Sequence, residues 1–156
     1  MGQSTAIIGV GHTITVAAGK EDTGGAFALL DYELAPGFST SSLHIHHRED
    51  VATYVLEGRL LIRVGETERL VGPGEFVFLH RGIEHAQSNP GPEPARFLVL
   101  LIPAGFEQFF PDLEALLEGG APLSQETIGP LLALYGVQPQ VLAGARQDAD
   151  HEKKGG

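Results

Sequence analysis

A cluster of histidines in front of an apolar run is the feature that most constrains this chain. Three of its seven histidines, His44, His46 and His47, lie within four residues of one another. Residues 51–57, which follow, have the composition of a β-strand, and Gly58 closes it. Because side chains alternate between the faces of an extended strand, His44 and His46 point to one side and His47 to the other. Two imidazoles at this spacing can bind one metal ion, whereas His47 is expected at the surface or behind the ligands.

A second histidine-bearing stretch, residues 72–89, supplies the further ligand that such a site needs. It contains a short strand and then a turn-rich loop that carries His85, with His80 just before the loop. Neutral imidazoles suit iron, nickel, copper and zinc, whereas hard cations prefer carboxylates. The residues alone leave two interpretations open. One is a divalent transition-metal site, and the other is a barrel that binds a sugar or an acid through ordinary polar residues.

The distribution of glycine and proline predicts an all-β fold. The chain has 21 glycines and 10 prolines, spread between short apolar runs and not pooled in one tract. Strands separated by turn signals at this spacing are typical of a sandwich or barrel. The last strand, RFLVLLI, is apolar on both faces, so we expect both of its faces to be buried. The predicted strands are residues 5–10, 13–18, 26–34, 51–57, 59–64, 70–71, 75–79 and 96–102.

The periodicity changes after Pro103. Apolar residues recur at helical spacing over 106–117, and a second helix begins at Ser124 and ends before Gly136. Two amphipathic helices have to cover apolar surface, which we expect to be the outside of the barrel or a partner subunit. The predicted organisation is a barrel over residues 1–102, a helical extension over 103–138 and a disordered tail over 139–156.

Charge and composition exclude several classes of partner. The formal net charge is −10, which repels nucleic acid and anionic bilayers, so neither is an expected partner. There is no cysteine, and therefore no disulfide or thiolate chemistry. The first residues lack the basic segment of a signal peptide, and no apolar run has the length of a membrane span. The sequence analysis therefore favours a cytoplasmic protein that acts on a small molecule.

The two histidine stretches together resemble the paired motifs of the cupin family, and flanking strands extend the likeness over residues 25–102. The resemblance implies a cupin-type β-sandwich or jelly-roll barrel with two C-terminal helices. It also implies that His44, His46 and His85 bind the metal. The first motif, within residues 37–58, is matched by His44, His46 and Gly58, and the second, within 72–89, by Gly74, Glu75, Gly82, His85 and Asn89, with His80 where a proline is usual.

The chain departs from the family pattern at Val51, which stands where the family has its metal-binding glutamate. Three neutral ligands leave the full charge on a divalent ion, so we expect weaker metal binding and stronger attraction of anionic or enolate substrates. Three-histidine cupins are found among dioxygenases of diketones and thiols. Glu49 and Gln87 are the residues that could replace the lost oxygen ligand. We expect both to face solvent or to lie behind the ligands.

The residues after the barrel narrow the resemblance further. PAGFEQFF at 103–110 and YGV at 135–137 are similar to quercetin-dioxygenase-like cupins. That likeness implies a metal-dependent dioxygenase-like enzyme for a flavonol- or diketone-like substrate, expected as a homodimer. One alternative is a cofactor-free isomerase or cyclase that transfers protons through His80 or His85, with His80 as the general base. The other is a non-catalytic protein that binds a small ligand.

Overall fold

Two antiparallel sheets pack against each other in the computed structural model, which describes residues 4–6, 11–40 and 42–139. Residues 7–10 of the predicted strand 5–10, and the chain from residue 140 onward, lie outside the described residues. The strands are β1 (Ser4–Ala6), β2 (His12–Ala18), β3 (Ala28–Leu34), β4 (His44–His46), β5 (Asp50–Glu57), β6 (Leu60–Val64), β7 (Thr67–Val71), β8 (Phe76–Leu79), β9 (His85–Ser88), β10 (Ala95–Ile102) and β11 (Val137–Pro139).

The strand order is that of a jelly-roll sandwich. One sheet has six strands in the order β1-β2-β3-β10-β5-β8, and the other has five in the order β11-β4-β9-β6-β7. Every paired strand runs antiparallel to its neighbour. The order along each sheet differs from the order along the chain, so connections cross from one sheet to the other. The predicted all-β, cupin-type fold is confirmed.

The core lies between the sheets and follows the period-two alternation of the strands. In the central strand β10, Phe97, Val99 and Leu101 are buried, whereas the sequence predicted that both faces of this strand are buried. Its outward residues Leu98 and Leu100 are only half-buried, because no layer of the described chain covers the outer face completely. The inward faces of both sheets meet in one cluster.

Gly58 shows why the turn after β5 requires glycine. Its φ angle is 72°, in the left-handed region that residues with a Cβ rarely adopt. A Cβ at this position would also overlap the carbonyl oxygen of Pro94. The glycine of the first motif therefore lets the chain turn sharply where it passes the start of β10.

The C-terminal helices close over the space between the sheets. Ser124 caps the second of them, because its Oγ accepts a hydrogen bond from the amide of Thr127 at 3.3 Å. The sequence predicted that the helices cover the outside of the barrel or a partner. Instead, Phe109, Phe110 and Leu113 are buried in the same core as the strands. The helical segments are α1 (Lys20–Thr23), a 3₁₀ helix (Phe106–Gln108), α2 (Phe109–Glu118) and α3 (Gln125–Leu134).

Three elements differ from the prediction. Residues 81–89 were expected as a loop, yet they contain β9, because the loop residues pair with both β4 and β6. The segment 19–25 contains the short helix α1. The extension 103–138 ends by entering β11, which returns to the five-stranded sheet beside β4. None of the helices in the described part of the chain is long and apolar enough to cross a membrane.

Candidate metal centre

Three histidines meet on one face of the ladder that joins β4 to β9. His44 and His46 are two residues apart on β4, and His44 is the direct cross-strand partner of His85. Directly opposed residues on antiparallel strands have their Cβ atoms about 5 Å apart, so the ladder itself brings the imidazoles together. The ring centroids are 4.6 Å apart for His44 and His85, 5.0 Å for His44 and His46, and 5.6 Å for His46 and His85.

The backbone on both sides of β4 fixes this arrangement. The amide of Gly82 donates to the carbonyl oxygen of His46 at 2.7 Å, which ties the loop before β9 to β4. On the other side, β11 pairs with β4 and sets Val137 opposite His46. The sequence predicted that His85 would lie in a loop. Instead, His85 is the first residue of β9, so the strand pairing with His44 fixes the position of the third imidazole.

Each of the three imidazoles has its Nδ1 within hydrogen-bonding distance of an oxygen. Nδ1 of His44 lies 2.9 Å from the carbonyl oxygen of Ser42, and Nδ1 of His85 lies 3.1 Å from that of Ile83. Nδ1 of His46 lies 3.2 Å from the carboxylate Oε2 of Glu49. An imidazole that donates from Nδ1 carries its lone pair on Nε2, which is the tautomer a metal ligand needs.

Burial keeps two of these histidines neutral. It lowers the pKa of His44 to about 3, helped by repulsion from His85 and His46 and opposed by the hydrogen bond to Ser42. Burial also lowers the pKa of His85 to about 4, opposed by the hydrogen bond to Ile83 and helped by repulsion from His46. A neutral imidazole is the form that coordinates a metal, so no proton has to leave these two ligands near pH 7.

The residues present fit a transition-metal ion. The ligand nitrogens of His44, His46 and His85 all lie within 4.8 Å of one another. Nitrogens bound to a tetrahedral ion at about 2.1 Å are about 3.4 Å apart, so small side-chain rotations would complete the site. The donor set is entirely nitrogen, which suits iron, nickel, copper or zinc and not magnesium or calcium. The chemistry of this cluster therefore fits a divalent transition-metal ion.

Val51, which stands where the family has its glutamate, lies in the wall of the cavity in front of the three histidines. Val51 is 4% exposed and contributes only methyl groups there. Glu49, expected to face solvent or to lie behind the ligands, is 4% exposed and lies behind His46. Gln87 is also buried, and its amide contacts Thr53 Oγ1 at 3.1 Å while lining the cavity.

A cavity of about 260 Å³ opens in front of the three histidines. Its walls come from both sheets and from the C-terminal helices, and they are mainly apolar and aromatic. Phe106 links the metal centre to the helices, because its ring lies 4.7 Å from that of His46 and stacks on Phe109 at 5.1 Å. The lining includes Ile14, Leu30, Phe97, Val99, Leu101, Phe110, Leu113, Ile128 and Leu132.

Two titratable residues of this cavity were not singled out by sequence reasoning. His12 at the start of β2 and Tyr32 on β3 both line it. Burial lowers the pKa of His12, against an interaction with the backbone of Ser39. Neither residue belongs to a recognisable motif, although the inward alternation of β3 with Leu30 and Leu34 could have indicated Tyr32.

Two of the other sequence-predicted histidines lie elsewhere. His80, predicted as the general base, is exposed, does not line the cavity and packs edge-on against Phe78. It lies directly after the edge strand β8, so its side chain is not brought to the three ligands. His47 is exposed as predicted, and its Nε2 lies 3.0 Å from the amide oxygen of Gln138.

Comparison with known proteins agrees with the fold and the motifs. Residues 30–101 match the family model of the cupin domain. These residues therefore form a cupin domain.

Among curated proteins, this chain is 38% identical over 71 residues to the tetracenomycin polyketide synthase protein TcmJ of Streptomyces glaucescens. The aligned segment covers 46% of this chain and 47% of TcmJ. The matched segments span less than half the length of the curated relatives.

Solved structures give the same architecture. The polyketide cyclase RemF from Streptomyces resistomycificus superposes with a TM-score of 0.56 at 26% identity, covering 64% of this chain and 71% of that one. KdgF from Halomonas sp. superposes with a TM-score of 0.59 at 16% identity, covering 67% of this chain and 92% of that one, and this likeness concerns the fold alone.

Proposed function

We propose that this cupin is a metal-dependent enzyme that activates a carbonyl-bearing, largely apolar small molecule for cyclisation of the polyketide type. The observation that supports it most is the arrangement of three imidazoles, each with Nδ1 beside an oxygen, at the wall of an apolar cavity. The relatives whose printed names concern polyketides, TcmJ and RemF, support the choice of substrate class.

In this proposal His44, His46 and His85 hold the ion, and the remaining residues shape the substrate. A bound divalent ion would act as a Lewis acid that polarises a carbonyl and makes the neighbouring C–H bond more acidic. The aromatic wall of Phe106, Phe109 and Phe110 excludes water and orients a flat substrate.

The base that accepts the proton from the substrate has to line the cavity. His12 is half-buried there, and burial lowers its pKa, so its imidazole is neutral near pH 7 and can accept a proton. His80, the base suggested by the sequence, does not reach this space. We therefore assign the proton-accepting role to His12 within this proposal.

Oxygen chemistry is the second candidate function, and one observation favours it. The donor set consists of three neutral imidazoles with Val51 in place of a carboxylate. That set resembles the three-histidine dioxygenases of diketones to which the sequence analysis pointed. The same cavity would accept a flavonol or a diketone.

The two candidates are separated by a pair of measurements on the same protein. The first is the incorporation of deuterium at the carbon next to the carbonyl of 1-tetralone, which NMR monitors in the absence of oxygen. The second is oxygen consumption with quercetin and a 1,3-diketone. Catalysed deuteration that is lost in His44→Ala/His85→Ala and reduced in His12→Ala supports the first function. Oxygen consumption without deuteration would replace it with the second, and neither signal in metal-loaded protein would contradict both.

A further inference from the structure

Tyr32 is a polar side chain inside the cavity that neither the metal centre nor the proton transfer uses. It belongs to β3, on the inward face between Leu30 and Leu34. Its ring stacks on Phe97 with centroids 5.2 Å apart and meets Phe110 edge-on at 6.2 Å. The ring is therefore held in place by packing on two sides, which fixes the direction of the hydroxyl.

The hydroxyl of Tyr32 is not engaged by the part of the chain that the structure describes. Across residues 11–40 and 42–139, no hydrogen bond is made by this group. The side chain is half-buried and lines the cavity. Every fully buried side-chain oxygen among the described residues has a hydrogen-bond partner, so the Tyr32 hydroxyl, which has none, is accessible from the cavity. A tyrosine hydroxyl set in an apolar wall usually has a hydrogen-bond partner, and this one is left able to donate to a molecule in the cavity.

We propose that the Tyr32 hydroxyl binds an oxygen of the ligand on the wall opposite the three histidines. Tyr32 belongs to the six-stranded sheet, whereas His44, His46 and His85 belong to the five-stranded sheet. A ligand that reaches both walls therefore spans the space between the sheets. Phe106 and Phe110 connect the two polar ends through ring contacts, with Phe106 against His46 and Phe110 against Tyr32.

The chemistry of the phenol specifies what it binds. Burial raises the pKa of Tyr32 above its ordinary value, so the hydroxyl keeps its proton and donates. Its partner is consequently an acceptor, namely a carbonyl oxygen on a ring system of about two fused rings, which the aromatic walls and the cavity volume accommodate. This inference rests on the proposed function for the nature of the substrate, but the binding step needs no metal.

A matched pair of ligands tests the hydrogen bond directly. Calorimetric titration of the full-length chain with 1-tetralone and with its hydrocarbon parent tetralin compares two molecules that differ in one carbonyl oxygen. Tyr32→Phe removes only the hydroxyl, and Tyr54→Phe, on the outer face with 39% exposure, is the matched control. We expect Tyr32→Phe to weaken 1-tetralone binding about 3- to 10-fold, to leave tetralin within about 2-fold, and Tyr54→Phe to change neither.

Several outcomes overturn the proposal. An unchanged preference for the ketone in Tyr32→Phe, equal weakening of both ligands, or failure of the unaltered protein to bind 1-tetralone would each contradict it. Melting temperature and metal content are recorded for every variant. A selective loss in Tyr32→Phe beside an absence of metal would keep the ligand site and reject the proposed function. Normal metal content and normal deuteration, together with no effect of Tyr32→Phe on binding, would reject the ligand site and keep the proposed function.

Discussion

The carboxylate of Glu49 lies 3.2 Å from Nδ1 of His46, and both side chains are buried, at 4% and 5% exposure. The family's usual glutamate would have reached the metal from position 51. Here a negative charge lies one layer further out, on the far side of a ligand. A carboxylate in contact with a metal-binding imidazole orients its ring and makes it a stronger donor. Beside a bound divalent ion, the Glu49 carboxylate would therefore offset part of the charge that Val51 cannot neutralise.

Removing this carboxylate should weaken metal binding in two separable steps. Glu49→Gln keeps a hydrogen-bonding oxygen beside His46 and removes the charge, whereas Glu49→Ala removes both. We expect a loss of zinc affinity of about 10-fold for Glu49→Gln and about 100-fold for Glu49→Ala, measured by competition with a chelator.

The exposed Glu66→Gln is the matched control and should leave the affinity unchanged. Equal affinities for all three variants would show that Glu49 only fills space. The visible spectrum of the cobalt-substituted protein adds a readout that a purely structural role would not change. We expect it to shift in Glu49→Gln and Glu49→Ala and to stay the same in Glu66→Gln.

Restoring a carboxylate at position 51 should strengthen the metal site and weaken the apo fold. Val51→Glu places an ionisable group in the apolar wall, which we expect to cost the metal-free protein about 3 kcal/mol in free energy of unfolding. Excess zinc should recover most of that loss, because the new oxygen can join the three imidazoles. Val51→Gln is the neutral control. Recovery by zinc that is equal in both variants would contradict coordination by the glutamate.

The metal-free protein should lose stability as the pH falls from about 6.5 towards 4. The pKa values of His44 and His85 in the folded protein are about 3 and about 4, below the value of 6.5 expected in the unfolded chain. The unfolded state therefore binds more protons in this window, so the free energy of unfolding rises with pH and is fully present only above about 6.5.

Urea unfolding at pH 7.0, 6.0 and 5.0 measures this dependence. His44→Gln/His85→Gln should have a clearly flatter profile over the same range, since neither glutamine titrates. Parallel profiles for the two proteins would show that other groups determine the pH dependence.

The hydrogen bond from Tyr135 to Asp112 should hold the two C-terminal helices together over the cavity. Burial and this carboxylate raise the pKa of Tyr135 to about 12, so it remains a donor at neutral pH. Tyr135→Phe should lower the free energy of unfolding by about 1 kcal/mol and speed amide hydrogen exchange in α3. Tyr54→Phe should change neither quantity. Protection of α3 that stays unchanged in Tyr135→Phe would mean that apolar packing alone secures the helix.

The sequence predicted the sheets and the shared face of His44 and His46 because both depend on local patterns, and the resemblance to the paired motifs added His85 to the cluster. Alternation places His44 and His46 on one face of any strand, and turn glycines such as Gly58 mark the strand ends. The sequence did not predict that His85 begins a strand, because its pairing with His44 depends on contacts across the sheet. The return of Val137 beside β4, and the aim of Tyr32 and His12 into the cavity, are likewise products of long-range packing that leave no local signature.

Elemental analysis of untagged protein, purified without added metal, tests the central claim most directly. The comparison needs the unaltered chain, the double variant His44→Ala/His85→Ala and His80→Ala, whose side chain is exposed. We predict near-stoichiometric iron, nickel, copper or zinc in the unaltered chain and in His80→Ala, and its loss in the double variant. No metal in the unaltered chain, together with no uptake on titration, would contradict the three-histidine metal centre.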